Sequence, residues 1–145
     1  MKASYSVRSV EETWAVAAEL AKELRPGDVV CLEGDLGAGK TTFTQGLAAA
    51  LGVDGVVNSP TFCIVREHSP RPGSNAPMLV HMDLYRLSGE EEVEAVGWED
   101  YLLRGAVVAV EWPERAGSLV PLDAWRVSFA YAEGDEGRIV SVRRG

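Results

Sequence analysis

Asp28-Val29-Val30-Cys31-Leu32-Glu33-Gly34-Asp35-Leu36-Gly37-Ala38-Gly39-Lys40-Thr41-Thr42-Phe43 is the stretch on which the fold turns. Its first six residues are a β-type run bounded by Pro26-Gly27 and by Gly34, and near-continuous apolar character predicts a strand buried on both faces. Residues 40–51 then place Phe43, Leu47 and Leu51 at i, i+4 and i+8, and Gly52 stands where a C′ glycine belongs, so a helix follows. Between the two, Gly34 to Thr41 satisfies G-x-x-x-x-G-K-[ST] at every fixed position, in the strand-to-helix setting that a P-loop requires. Glycines let the backbone wrap phosphates, while amide N–H groups and the helix N-terminus supply positive potential. Lys40 would reach the β- and γ-phosphates, and the Thr41 hydroxyl would ligate Mg²⁺. The competing reading is a glycine-rich turn with an incidental lysine.

A P-loop needs a further carboxylate at a neighbouring strand end. Ala106-Val107-Val108-Ala109-Val110 is an apolar run predicting a fully buried strand, and Glu111 follows it directly. An acid there is costly unless paired with a metal, a base or solvent, which favours a metal-holding role over simple strand termination. Asp83, ending His81-Met82-Asp83, would orient water, respond to Mg²⁺, or merely cap the next turn. In Ser59-Pro60-Thr61-Phe62, Thr61 reads either as a switch residue near the γ-phosphate or as an ordinary turn into a strand. His81 shares a strand face with Asp83 and reads as a structural histidine. Arg86 and Arg115 are weak phosphate candidates in an arginine-rich chain, and Glu90-Glu91-Glu92-Val93-Glu94 reads as a solvated helix face.

Working outward, residues 3–7 suggest a short strand, and Ser9 with Glu12 forms a capping box opening a helix. That helix carries Val10, Trp14, Ala17, Ala21 and Leu24 on one face and ends before Pro26. Residues 56–65 and 78–83 are strand-like, and Ser69 to Pro77 is rich in turn formers, predicting an exposed hairpin loop. Ser88 and Glu91 suggest a second capping box opening a helix over 89–96, and residues 98–104 a further helical turn or two. Trp125, Val127, Phe129 and Tyr131 alternate before a Gly-Asp-Glu-Gly turn, and 138–143 returns as an antiparallel hairpin.

The expected fold is therefore α/β, a single domain spanning 1–145. It has a mostly parallel sheet flanked by helices on both faces, a P-loop after a central strand, and an antiparallel C-terminal hairpin at one edge. Composition agrees with a folded chain of one domain: 145 residues, 46% hydrophobic and 25% charged. A net charge of −8 argues against gripping nucleic acid unaided, so work on RNA would run through a partner. No apolar run nears the roughly 20 residues of a membrane span and the first seven residues lack a signal-peptide core, so the cytoplasm is the expected compartment. Cys31 and Cys63 fall in no metal or redox spacing and read as small buried apolar residues.

Four motifs, in order, resemble one family: the Gly34 to Phe43 segment, Ser59-Pro60-Thr61-Phe62, His81-Met82-Asp83-Leu84-Tyr85-Arg86 and Glu111-Trp112-Pro113 are similar to the TsaE (formerly YjeE) family. These are small bacterial P-loop ATPases of tRNA threonylcarbamoyladenosine biosynthesis. The resemblance spans nearly the whole chain, and also touches the helix start at Ser9 to Thr13 and the Leu51-Gly52 ending. It implies a Mg²⁺-dependent ATPase, turning ATP to ADP and phosphate, that supports attachment of a threonylcarbamoyl group to an adenosine beside the tRNA anticodon. The implied partners are the TsaD and TsaB proteins, with tRNA met through their complex and neither membrane nor DNA involved.

Carried onto this chain, Gly34, Asp35, Leu36, Gly37, Ala38, Gly39, Lys40, Thr41 and Thr42 would hold the nucleotide. Val10 would flank the adenine, Thr41 and Glu111 would hold Mg²⁺, and Lys40, Asp83 and Glu111 would be catalytic. Ser59 to Phe62 would form a nucleotide-responsive loop. Met82 stands where the family often has an aromatic residue, and the Arg71 to Pro77 loop is longer than the family pattern. A small-molecule P-loop kinase is the alternative, though no arginine-rich lid insertion accompanies the motif; a binding module that uses nucleotide only to set its shape is a third reading.

Overall fold

The computed structural model describes residues 3–34, 37–53, 65–132 and 137–145. In chain order these form β1 (Ser4–Val7), α1 (Val10–Ala21), β2 (Val29–Glu33), α2 (Gly37–Leu51), β3 (Val65–His68) and β4 (Leu79–Asp83). There follow α3 (Glu90–Ala95), α4 (Trp98–Leu103), β5 (Val107–Glu111), a 3₁₀ segment (Pro113–Leu119), β6 (Trp125–Tyr131) and β7 (Arg138–Arg144). One seven-stranded sheet has the order β1-β7-β6-β2-β5-β4-β3. Its centre, β6-β2-β5-β4, is parallel, and pairing turns antiparallel toward both edges.

Alternation along the strands divides the core in two. Val30, Leu32, Val107, Ala109 and Val127 face α1 and α2, which cover them with Val16, Ala17, Leu20, Phe43 and Leu47. Val29, Cys31, Val80, Met82, Val108 and Val110 face the opposite side, under Val93 of α3, Trp98 of α4 and Ala116 of the 3₁₀ segment. Helices thus cover both faces, as expected, and the central strands need no polar side. Cys31 is fully buried, and burial pushes its thiol up to about 11, so it stays protonated at neutral pH and behaves as the small apolar residue anticipated.

Several expectations shift. The C-terminal hairpin forms but is not the edge: β1 pairs with β7 and closes that side. The strand expected over 56–65 falls almost wholly on residues 54–64, outside the described residues, as do Cys63 and Ser59 to Phe62. The strand that does pair with β4, across the predicted loop, is β3 just beyond. The Glu133 to Glu136 part of the hairpin turn also lies outside the described residues.

In α1 the buried face is Thr13, Val16, Ala17 and Leu20, whereas Val10 and Trp14 are 46% and 42% exposed. The cause is α2. At Gly46 a Cβ would stand only 2.9 Å from Trp14 Cα, so the helices pass too closely for an indole between them and Trp14 lies at the rim. The helix also stops at Ala21, short of Pro26.

Capping is only partly as read. Ser9 Oγ accepts from the Glu12 N–H at 3.1 Å, but the Glu12 carboxylate accepts from the Arg8 N–H rather than that of Ser9. Ser9→Ala is expected to cost about 1 kcal/mol, read as a lower urea midpoint at unchanged slope. At α3 the partner of Ser88 is Glu92, not Glu91. Its carboxyl accepts from the Ser88 hydroxyl and, at 2.7 Å, from the Ser88 N–H, and these bonds hold it below its ordinary pKa. Glu90 is likewise not merely solvated, because it accepts from Ser118 Oγ at 2.6 Å and ties α3 to the 3₁₀ segment.

Candidate active site

The parallel centre of the sheet delivers β2, β4 and β5 with their carboxyl ends side by side, where open α/β sheets bind ligands. Beyond Glu33 the chain passes Gly34 (φ +129°) and, from Gly37, enters α2 three residues earlier than the apolar spacing indicated. The N-terminus of α2 therefore opens at that end of β2, and its first turn carries no acid to offset its positive end. Asp35 and Leu36 lie outside the described residues.

Lys40 sits in this first turn and is only 7% exposed. Its Nζ is 4.0 Å from Oε1 of Glu111, the last residue of β5, which is itself 6% exposed. Strand register puts Glu111 opposite Leu32 of β2 on one side and Asp83 of β4 on the other, so both sequence-predicted acids stand at adjacent strand ends. Asp83 is half-buried, and its Oδ1 accepts from the Tyr85 N–H at 3.0 Å. It therefore caps a turn as well as standing at the site.

His81 is the residue that sequence reasoning undervalued. It is fully buried, and its Nε2 lies 2.8 Å from Glu111 Oε2. The signal available was alternation: His81 and Asp83 share a face, and so do Ala109 and Glu111 opposite them. Recognising the contact required the β4–β5 register, which no local pattern contains.

Beside α2, Val7, Arg8, Ser9, Val10, Thr13, Gly39, Thr42 and Arg138 line a cavity of about 220 Å³. It brings Val10 to Gly39 and Thr42 of the glycine-rich turn, while Arg8, Thr13 and Arg138 were not anticipated there. On the other flank, Trp112 adopts φ +59°, the one positive value at a non-glycine among the described residues, immediately after Glu111. Such backbone costs about 1–3 kcal/mol. It carries the Trp112 ring to 4.9 Å from that of Tyr85, with the Arg115 guanidinium 5.7 Å from the indole. Arg115 is thus engaged with an aromatic ring, and Arg86 is exposed.

The donors suit a hard divalent cation that comes with phosphate. Thr41 and Glu111 offer oxygen, and no cluster of three or more His, Cys, Asp or Glu able to hold a metal occurs among the described residues. A helix N-terminus, a buried lysine and two strand-end carboxylates can together bind and polarise a phosphoanhydride.

Comparisons with known proteins identify the family and the fold. The family model described as "Threonylcarbamoyl adenosine biosynthesis protein TsaE" matches residues 7–140. A TsaE protein of Bacillus subtilis is 43% identical over 129 residues, covering 89% of this chain and 78% of that protein. One from Streptomyces coelicolor is 50% identical over 117 residues, covering 80% and 77%. The crystal structure of Bacillus subtilis YdiB superimposes with a TM-score of 0.76 at 34% identity, covering 98% of this chain and 85% of that one.

Proposed function

The chain belongs to the TsaE family, named for threonylcarbamoyladenosine biosynthesis, and from that premise we propose that it is a Mg²⁺-dependent ATPase supporting threonylcarbamoylation of tRNA. The observation that carries the proposal is the placement of Lys40, in the first turn of α2, 4.0 Å from a buried carboxylate at the neighbouring strand end. A lysine and an acid so placed match the demands of phosphoryl transfer, where catalysis is mostly positioning and electrostatic stabilisation.

In this reading the amides at the start of α2 and the Lys40 ammonium neutralise the β- and γ-phosphates of ATP. The cavity beside Val10 takes the adenine. Thr41 and Glu111 would hold a Mg²⁺, which would supply further charge neutralisation. Asp83 orders the attacking water, because Glu111 gives Oε2 to His81 and keeps Oε1 for the cation. Hydrolysis yields ADP and phosphate and resets a complex with the TsaD and TsaB proteins in the cytoplasm, through which this acidic chain meets tRNA. Among the described residues no helix is long and apolar enough to cross a membrane.

The test is phosphate release from Mg·ATP by the purified chain, alone and with TsaD, TsaB and tRNA. Slow turnover alone that rises when the partners are added is the expected result. Turnover indifferent to them would end the proposed place in tRNA modification while leaving the nucleotide chemistry standing.

A further inference from the structure

Glu111 has its two carboxylate oxygens facing different partners. Oε2 meets His81 Nε2 at 2.8 Å, a full hydrogen bond, whereas Oε1 stands 4.0 Å from Lys40 Nζ, beyond the 2.7–2.9 Å of a charge-assisted contact. A carboxylate only accepts, so the His81 imidazole donates to it from Nε2. Its Nδ1 is buried with no hydrogen-bond partner among the described residues. Packing alone needs no such orphan, since an apolar side chain at this buried strand position would leave no unpaired nitrogen.

We propose that His81 is a positioning residue, which grips Glu111 Oε2 so that the carboxylate neither rotates nor closes onto Lys40. Glutamate has three side-chain torsions, and a lysine so near would otherwise draw both oxygens into a direct ion pair. That pair would occupy the ammonium needed by phosphate and the oxygen needed by the cation. With Oε2 held by the imidazole, Oε1 stays facing the first turn of α2 without closing on Lys40, and the ammonium stays available. This inference rests on the ATPase reading, in which Glu111 serves the cation. It adds what sets the direction of that carboxylate, much as hydrogen-bonded partners behind a metal ligand commonly do.

The experiment compares His81→Gln, whose amide Nε2 sits near the imidazole Nε2, with His81→Asn, whose shorter amide falls near Nδ1. His81→Asn is expected to lower kcat about 10–100-fold and to weaken Mn²⁺ binding to the ADP-bound protein, followed by electron paramagnetic resonance, by a similar factor. ADP affinity without metal should hardly change, and His81→Gln should restore most of both losses. In the wild-type chain, ¹⁵N spectra of the imidazole should place the proton on Nε2. Wild-type turnover and Mn²⁺ affinity in folded His81→Asn, or equal losses in both variants, would overturn the inference. Glu111→Gln separates the two levels: if it leaves hydrolysis untouched, the ATPase reading of the site is what fails. If Glu111→Gln is slow while His81→Asn is not, only the role of His81 fails.

Discussion

Lys40→Ala should reduce phosphate release from Mg·ATP by at least about a hundredfold, the loss typical of removing one preorganised charge from a transition state. Lys40 is 7% exposed and its ammonium lies 4.0 Å from Glu111 at the end of β5, so no other cation of the first turn of α2 can replace it. Truncation also leaves Glu111 Oε1 without the nearest positive charge. Its partner oxygen keeps the bond to His81, so the stability cost should stay at about 1–3 kcal/mol, within what a domain of this size tolerates. Circular dichroism and the melting curve of the variant check the fold, and turnover at saturating Mg·ATP checks the chemistry. Near-normal turnover in a folded variant would remove the P-loop from the mechanism.

Gly34→Ala should be the most damaging single-methyl change near the site. A Cβ there would stand 2.7 Å from the Phe129 carbonyl oxygen of β6, and the φ of +129° is one that side chains rarely adopt. Neither problem is relieved by moving a side chain, because both lie in backbone held by the sheet. The expected loss is about 3 kcal/mol or more, on the order of 10 °C in melting temperature for a chain of this length. Gly73→Ala is the control: its φ is +82°, yet nothing lies within 4 Å of the added methyl, so it should show only backbone strain. Equal melting of the two variants would mean that the approach of Gly34 to β6 is not what makes the position demanding.

That clash explains the glycine-rich turn better than phosphate wrapping alone. In the sequence motif, glycine at position 34 is read as leaving the backbone free to wrap a phosphate. The structure adds a second reason, since β6 pairs with β2 and brings Phe129 against the strand end. Phe129 then meets Phe43 of α2 edge-on at 5.7 Å, fastening the helix over the same junction.

The local pieces of this protein were legible because neighbours in the chain decide them. Apolar continuity in 29–32 and 107–110 gave buried strands, spacing at Phe43 and Leu47 gave the helix between them, and Gly34 to Thr41 gave the strand-to-helix junction. Lys40 and Glu111 could be named as candidate site residues on those grounds, each sitting at the end of an element that a short window reveals.

What a window cannot contain is which strand lies beside which. The sheet order places β5 next to β2 although some seventy residues separate them, closes the hairpin with β1 at the edge, and sets His81 and Glu111 in contact across thirty residues. The close passage at Gly46 likewise rotated the buried face of α1 away from Trp14. Hydrophobic periodicity tells an element that it must bury a face, with a free energy nearly indifferent to the partner supplying the cover. Partner, register and crossing distance are settled by packing and backbone hydrogen bonds acting over the whole chain at once, and the hold of His81 on Glu111 belongs to that second kind of information.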